Sequence, residues 1–518
     1  MSVNKRIGFA VAFSWLNRVI VISFNFFIIP IMLKYMGKEE LGIWLLLSSS
    51  QFLIGILTMG LPQVFMRRIS QIKGKSSSEI YAKLNNNTVT EIAELTSTIS
   101  ITFRYLSVIG FVVAFVFGYF IIGKLTLTTV PLEKVIIAWF IICFGIAINV
   151  WFNYLNSLLR GLGYVGTNEM GVSIVSIFSF TANILLVING YGLIALAITL
   201  VITNFLQRFI LIFFVNKNHP EVLKIKGKFN RKILKPLIKP AMDNCIKFVG
   251  TFIIFRADQY FIGLQLGVEQ IPLYYAMFQM VFNLQQVVMP LALSSNPFIA
   301  QMWQAGDIKK CHRLINKICL YSLGAIIAGI SFLLIFAPNI INVWLGENSF
   351  VGYDILLTFC LISFFQVQNT AIMYYARATG FEKFALSSLI AGILNLTLTW
   401  ILIQSLGLWG VSLATLISLM LTDNWYILFT GLRKLKIKYQ TYFKTVLSKV
   451  ILLGLICMVV NISVKKLFTA FFADIVFYDL SLIGIGVIVN LMMLGVIAWF
   501  TISSEDKLKI YKKVPFLK

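Results

Sequence analysis

Long apolar runs separated by short polar links fill this chain from one end to the other. Fourteen runs are candidates for membrane-spanning helices: 9–33, 41–66, 101–122, 135–158, 170–188, 193–215, 241–264, 272–300, 318–337, 353–376, 384–403, 411–430, 450–464 and 475–501. A helix needs ~20 mainly apolar residues to cross a bilayer. The thirteenth run is the shortest. A β-barrel is excluded, because barrel strands are ~10 residues of strict alternation, and these runs are about twice that long and unbroken. The pattern predicts an all-α polytopic membrane protein. Upstream of the third run, Ile92, Leu95, Ile99, Phe103 and Leu106 follow i, i+3, i+4 spacing. That spacing predicts an amphipathic helix leading into the span.

Composition agrees: 59% of the 518 residues are hydrophobic, with a mean hydropathy of +0.87. The net charge of +24 changes the picture only through its placement. If the first helix starts in the cytoplasm, about 33 basic residues fall in the inner links and tails and about 6 in the outer ones. This is the positive-inside asymmetry. It predicts cytoplasmic N- and C-termini and leaves no role for nucleic acid. The first run is too long for a cleavable signal and lacks a small-residue cleavage pattern. The six cysteines form no Cys-x-x-Cys pair, so neither a metal nor another cofactor is expected. No phosphate-binding G-x-x-x-x-G-K-[ST] loop is present, which argues against direct ATP hydrolysis.

The links contain an echo. After the first helix the chain reads Tyr35-Met36-Gly37-Lys38-Glu39-Glu40-Leu41-Gly42-Ile43-Trp44, and after the seventh Gln265-Leu266-Gly267-Val268-Glu269-Gln270-Ile271-Pro272-Leu273-Tyr274. Glycine, glutamate, an aliphatic and an aromatic residue recur in register. A looser echo pairs Asn183…Tyr191-Gly192-Leu193 with Asn395…Leu406-Gly407-Leu408. Together they predict two six-helix lobes in a parallel pseudo-repeat around a central cavity, related by an axis along the membrane normal. The expected parts are an N-terminal lobe (1–216), a basic cytoplasmic linker (217–240), a C-terminal lobe (241–432), and an extra helix pair with a basic tail (433–518).

The Tyr-x-Gly-x-Glu link after the first helix and the Asn395…Gly407-Leu408-Trp409-Gly410 segment resemble the multidrug/oligosaccharidyl-lipid/polysaccharide (MOP) exporter superfamily. Within it the chain looks most like the Wzx-type polysaccharide flippases. The extra helix pair departs from the twelve-helix pattern of many of those and is usual in lipid II flippases. The resemblance implies alternating access to a cavity between the lobes, a lipid-linked oligosaccharide as substrate, and polysaccharide assembly proteins as partners. It also implies a bacterial cytoplasmic membrane as the location.

Ionisable residues inside a bilayer are costly and usually functional or paired. Arg18 in the first helix and Arg256 in the seventh are the main candidates for a cationic cavity, with Lys247 beside them. Arginine holds phosphate oxygens bidentately and stays charged. Asp243 and Lys247, at i, i+4, could equally pair on one helix face. Arg256 and Asp258, two residues apart, point to different sides of a helix and cannot pair that way. Asn25, Asp243, Asp258 and Asp423 are candidates for cavity polarity or for coupling to H+ or Na+. Pro62, Pro290 and Pro297 are candidate hinges, static kinks being the plainer alternative. The function expected is a flippase for a polyprenyl-diphosphate-linked oligosaccharide. The alternatives are a cation-coupled drug antiporter like those of the MATE family, a lipid II flippase and, further off, a membrane glycosyltransferase or polymerase. The short external links and the lack of Asp-x-Asp speak against an enzyme.

Overall fold

The computed structural model describes residues 3–52, 56–58, 60–76, 85–224, 227–379, 381, 384–472 and 477–501. Among these the regular secondary structure is all helical, with no strand. The elements in order are α1 (Val3–Ser49), α2 (Leu61–Ser76), α3 (Asn86–Ile122), α4 (Leu132–Gly161), α5 (Val165–Ile188), α6 (Gly192–Asn218) and α7 (Pro220–Lys224). There follow α8 (Arg231–Arg256), α9 (Asp258–Gln265), α10 (Ile271–Gln304), α11 (Ile308–Leu345), α12 (Tyr353–Ala378) and α13 (Ala385–Leu419). The chain ends with α14 (Trp425–Lys434), α15 (Tyr439–Tyr442), α16 (Ser448–Phe472) and α17 (Tyr478–Thr501). Nine helices among the described residues are long and apolar enough to cross a membrane. The protein is a multi-pass membrane protein.

The fourteen apolar runs do not map one to one onto the helices. Run 9–33 and the start of run 41–66 share α1, which breaks at Gly37 (φ 77°, ψ 173°), and the end of the second run opens α2. Run 384–403 and the first half of run 411–430 share α13, which breaks at Gly407 (φ 57°, ψ −136°); the rest of the second run continues through a π-helical segment into α14. A side chain at either φ would be strained. Run 241–264 is divided between α8 and α9 at Ala257. The expected amphipathic lead-in forms the start of α3, with Ile92, Ile99 and Phe103 fully buried. The thirteenth run lies in α16, which extends well beyond it at its C-terminal end.

The chain divides into two compact units, residues 1–272 with 388–407, and residues 273–387 with 408–518. In the first, α2, α3, α4 and α6 close on a core of Phe65, Ile69, Ile92, Phe103, Leu158 and Leu211. In the second, the extra helices α16 and α17 pack on α11 through Phe336, Phe468 and Leu482. Polar ties reinforce that packing. Asn461 and Asn490 exchange amide hydrogen bonds at 3.3 and 2.8 Å. Lys465 Nζ donates to the Ile335 carbonyl and to Asn339 Oδ1, both at 3.1 Å, and Asn339 Nδ2 donates to Asp479 at 2.7 Å. Interhelical amides hold helices together where lipid offers no hydrophobic drive.

The echoes are conformational as well as sequential. Gly37 and Gly267 both take positive φ, 77° and 93°, with ψ 173° and 148°. Gly192 and Gly407, the glycines of the looser echo, sit at φ 58° and 57°. The two links of the first echo also touch. A β-carbon on Gly42 would lie 1.9 Å from the Val268 carbonyl oxygen and 3.5 Å from Pro272, the position matching Gly42 in the second link.

Candidate functional site

The polar interior of the first unit is built by helical periodicity. On α4, Asn149, Asn153, Asn156 and Arg160 stand at i, i+4, i+7 and i+11, so they form one stripe on one face. Asn149 Nδ2 donates to Asn204 Oδ1 of α6 at 3.0 Å, and Asn204 Nδ2 donates to the Gly145 carbonyl at 3.0 Å. The lower part of the stripe lines a pocket of about 220 Å³ with Gln63, Ser157, Pro62 and Phe248. Arg160 is half-exposed there and is oriented by Glu169 at 2.5 Å. On α5, Ser176, Ser179 and Asn183 repeat the same spacing. With Thr203 and Gln207 of α6 they line a second pocket of about 290 Å³. Its wall includes Phe24 and Phe180, stacked 3.8 Å apart and nearly parallel. The buried Asn183 Oδ1 has no hydrogen-bond partner among the described residues.

Two arginines of the first unit stand on aromatic residues. Arg104 lies 5.4 Å from the Trp151 ring centre, and Arg208 lies over Phe152. Cation–π contact is one way to keep a guanidinium inside a membrane protein. Arg208 Nη1 is buried with no hydrogen-bond partner among the described residues.

Of the residues chosen from sequence, Arg256 ends α8 and is partly buried. It forms no ion pair among the described residues. Asp258 opens α9 and is buried. Asp423 is buried in a π-helical segment, Met420–Asn424. Asn424 accepts a hydrogen bond from Asn369 of α12, and Gln368 is buried next to Asn369. π-segments occur often at functional sites. The amides of α12 and the Asp423-Asn424 pair therefore come together within the second unit. The side chains of Arg18, Asn25, Asp243 and Lys247 lie outside the described residues. Pro62 is the second residue of α2, where a missing N–H interrupts no helical bond. Pro290 and Pro297 fall within the span of α10, and the Pro297 side chain lies outside the described residues.

Outside the spans, the Glu39 carboxylate is the most heavily bonded acid among the described residues. It accepts from the Thr128 amide at 2.9 Å and hydroxyl at 2.5 Å, the Thr129 amide at 2.9 Å and hydroxyl at 2.8 Å, and the Val130 amide at 3.3 Å. Burial opposes its charge, but the Thr128 and Thr129 donors outweigh that and hold its pKa at about 2. Its neighbour Glu40 pairs with Lys134 at 2.7 Å and accepts from the Leu193 amide at 2.8 Å. Two consecutive acids thus fasten the α1 break to the α3–α4 and α5–α6 links.

A family profile described as "Polysaccharide biosynthesis protein" matches residues 167–349. Among solved structures, the chain is similar to a lipid II flippase MurJ in an inward closed conformation. The TM-score is 0.69 at 17% identity, covering 95% of this chain and 98% of that one. It is also similar to an inward-facing multidrug resistance MATE family transporter of the MOP superfamily, with TM-score 0.66 at 14% identity, covering 80% and 94%. The chain shares the fold of these two structures. A third likeness is to the MATE multidrug transporter DinF-BH in complex with R6G, with TM-score 0.58 at 14% identity, covering 83% and 97%. No curated protein sequence matches the chain. The fraction left uncovered by the MATE structures is comparable in length to the segment 433–518 with its extra helices, whereas the MurJ comparison leaves almost nothing over.

Proposed function

We propose that the chain is a flippase that moves a polyprenyl-diphosphate-linked oligosaccharide from the cytoplasmic to the outer leaflet of a bacterial cytoplasmic membrane by alternating access. The observation that carries this reading is where the profile match falls. Residues 167–349 include the polar face of α5, the Thr203–Gln207 wall of its pocket and Arg256. Serine, threonine and amide side chains beside a stacked aromatic pair supply donors, acceptors and flat apolar surface, which suits a sugar. Arg256, with Arg18 and Lys247, would meet the diphosphate, offsetting the loss of its hydration. An inside-negative potential favours outward movement of an anion by ~2.3 kcal/mol per charge per 100 mV. Asp423, with Asn369 and Asn424, would take the coupling ion, H+ or Na+, as the empty carrier returns.

A leaflet-resolved assay in proteoliposomes tests the proposal. Arg256→Ala removes a charge-assisted contact and is expected to slow flipping about 10- to 100-fold, with the protein still inserted and monodisperse. Arg256→Lys recovers part of the loss. Undiminished flipping by Arg256→Ala, with Asn153→Ala and Asn156→Ala equally active, would remove the polar-interior reading.

The buried carboxylates Asp258 and Asp423 favour a second reading, an exporter of organic cations. Ethidium efflux that depends on this chain and is lost in Asp258→Asn or Asp423→Asn would establish that function instead.

A further inference from the structure

The first unit contains a cavity of about 380 Å³ among α2, the start of α3 and the start of α8. That volume is within the ~300–1,000 Å³ typical of ligand sites. Three cations line it, Arg67 and Arg68 from α2 and Lys232 from α8, together with the amide of Gln71. One carboxylate, Glu91 of α3, shares the rim. It stands 3.5 Å from Arg68, with both side chains about half exposed (46% and 54%). That pair is too long and too wet to use up the guanidinium. Arg67 and Lys232 form no ion pair among the described residues. Beneath the charged rim the floor is apolar, including buried Ile72, Leu95 and Leu237.

We propose that this cavity binds the phosphate of an anionic phospholipid headgroup at the membrane surface. The rim leaves an excess of positive charge in forks that match phosphate oxygens. The floor beneath is what a glycerol backbone and the first methylenes of an acyl chain would cover, whereas a free phosphate would leave it wet. The position along the helices agrees. In α2 the apolar stretch ends and the charged one begins at Arg67, and α8 begins with Arg231 and Lys232 before turning apolar. Juxtamembrane cations of this kind attract anionic lipid. The site is separate from the pockets lined by α4, α5 and α6, and does not depend on what is transported.

The test uses the full chain purified in micelles doped equally with phosphatidylglycerol and phosphatidylcholine, with retained lipids counted by native mass spectrometry. Wild type is expected to keep phosphatidylglycerol preferentially. Arg67→Gln, Arg68→Gln and Lys232→Gln should each weaken that preference about fivefold, and the triple variant should abolish it. Glu91→Gln, which removes the competing carboxylate, should strengthen it by a similar factor. Neutralising Lys438, Lys444 and Lys449 in a different basic link should change nothing. Equal loss in that control would show diffuse attraction and overturn the proposal. So would unchanged retention in the triple variant, or complete displacement of the lipid by millimolar inorganic phosphate. The Glu91→Gln gain keeps the test decisive if the triple variant folds poorly.

Discussion

At Gly37 and at Gly267 the backbone makes nearly the same left-handed extended turn, and two residues later each link carries a glutamate. Glu39 is buried and accepts hydrogen bonds from three successive residues, whereas Glu269 is exposed and forms no ion pair among the described residues. The residue after it also differs. Glu40 ties down Lys134 and the amide at Leu193, and its counterpart is Gln270. The turn is what both links need to change chain direction after a helix, so the glycine recurs. The clamp is an elaboration of the first link alone, made possible because the α3–α4 connection presents Thr128 and Thr129 to it. Equal sequence in two links therefore reports equal backbone, not equal side-chain duty.

The comparison can be broken most severely where the two links touch. Gly42→Leu places carbon against the Val268 carbonyl, with no flexible atom to yield. The expected cost is about 3 kcal/mol or more, visible as loss of monodisperse protein on size exclusion. Glu39→Ala should follow, lowering stability by about 2–3 kcal/mol through the stranded donors of Thr128 and Thr129. The same clamp predicts a pH dependence. A carboxyl whose ordinary value of 4.5 falls to about 2 on folding contributes its full stability above pH 4.5 and loses it as pH drops toward 2. Thermal melts of wild type and Glu39→Gln should thus converge on acidification. Gly37→Ala and Gly267→Ala should each cost about 1–2 kcal/mol. If only one of them destabilises, the two turns are not equivalent. Glu269→Ala is expected to stay within about 0.5 kcal/mol of wild type, and a larger effect would mean that the second link has a clamp of its own.

Much of the fold was legible because bilayers punish exposed backbone and reward long apolar runs. Hydropathy alone is enough to read a helical, multi-pass membrane protein. The echoing glycines could be found because positive φ admits few other residues. The polar interior was largely missed, for a reason of averaging. Asn149, Asn153 and Asn156 sit among Trp151, Phe152, Leu155 and Leu158, so α4 reads as uniformly apolar, and Arg160 reads as a link residue. Their i, i+4, i+7, i+11 spacing was the available signal, but a search for buried charge passes over neutral amides. Arg104 and Arg208 were visible as charges, yet nothing in the order of residues announces Trp151 and Phe152 as their supports. The meeting of Asn369 with Asn424 depends on how α12 packs beside the π-segment, a long-range fact that local spacing does not contain.

The asparagine stripe on α4 also bears on how the protein is made. Polar side chains on a lone helix must be given up to lipid during insertion, or be met at once by a neighbour. The partner of Asn149 is Asn204, which reaches the bilayer only after two further helices have been synthesised. Until then the Asn149 amide must be met by water, by another neighbour or by the insertion machinery. Ribosome-bound chains truncated before α6 should therefore stay extractable from the membrane at the fourth helix, whereas chains that include Asn204 become firmly integrated.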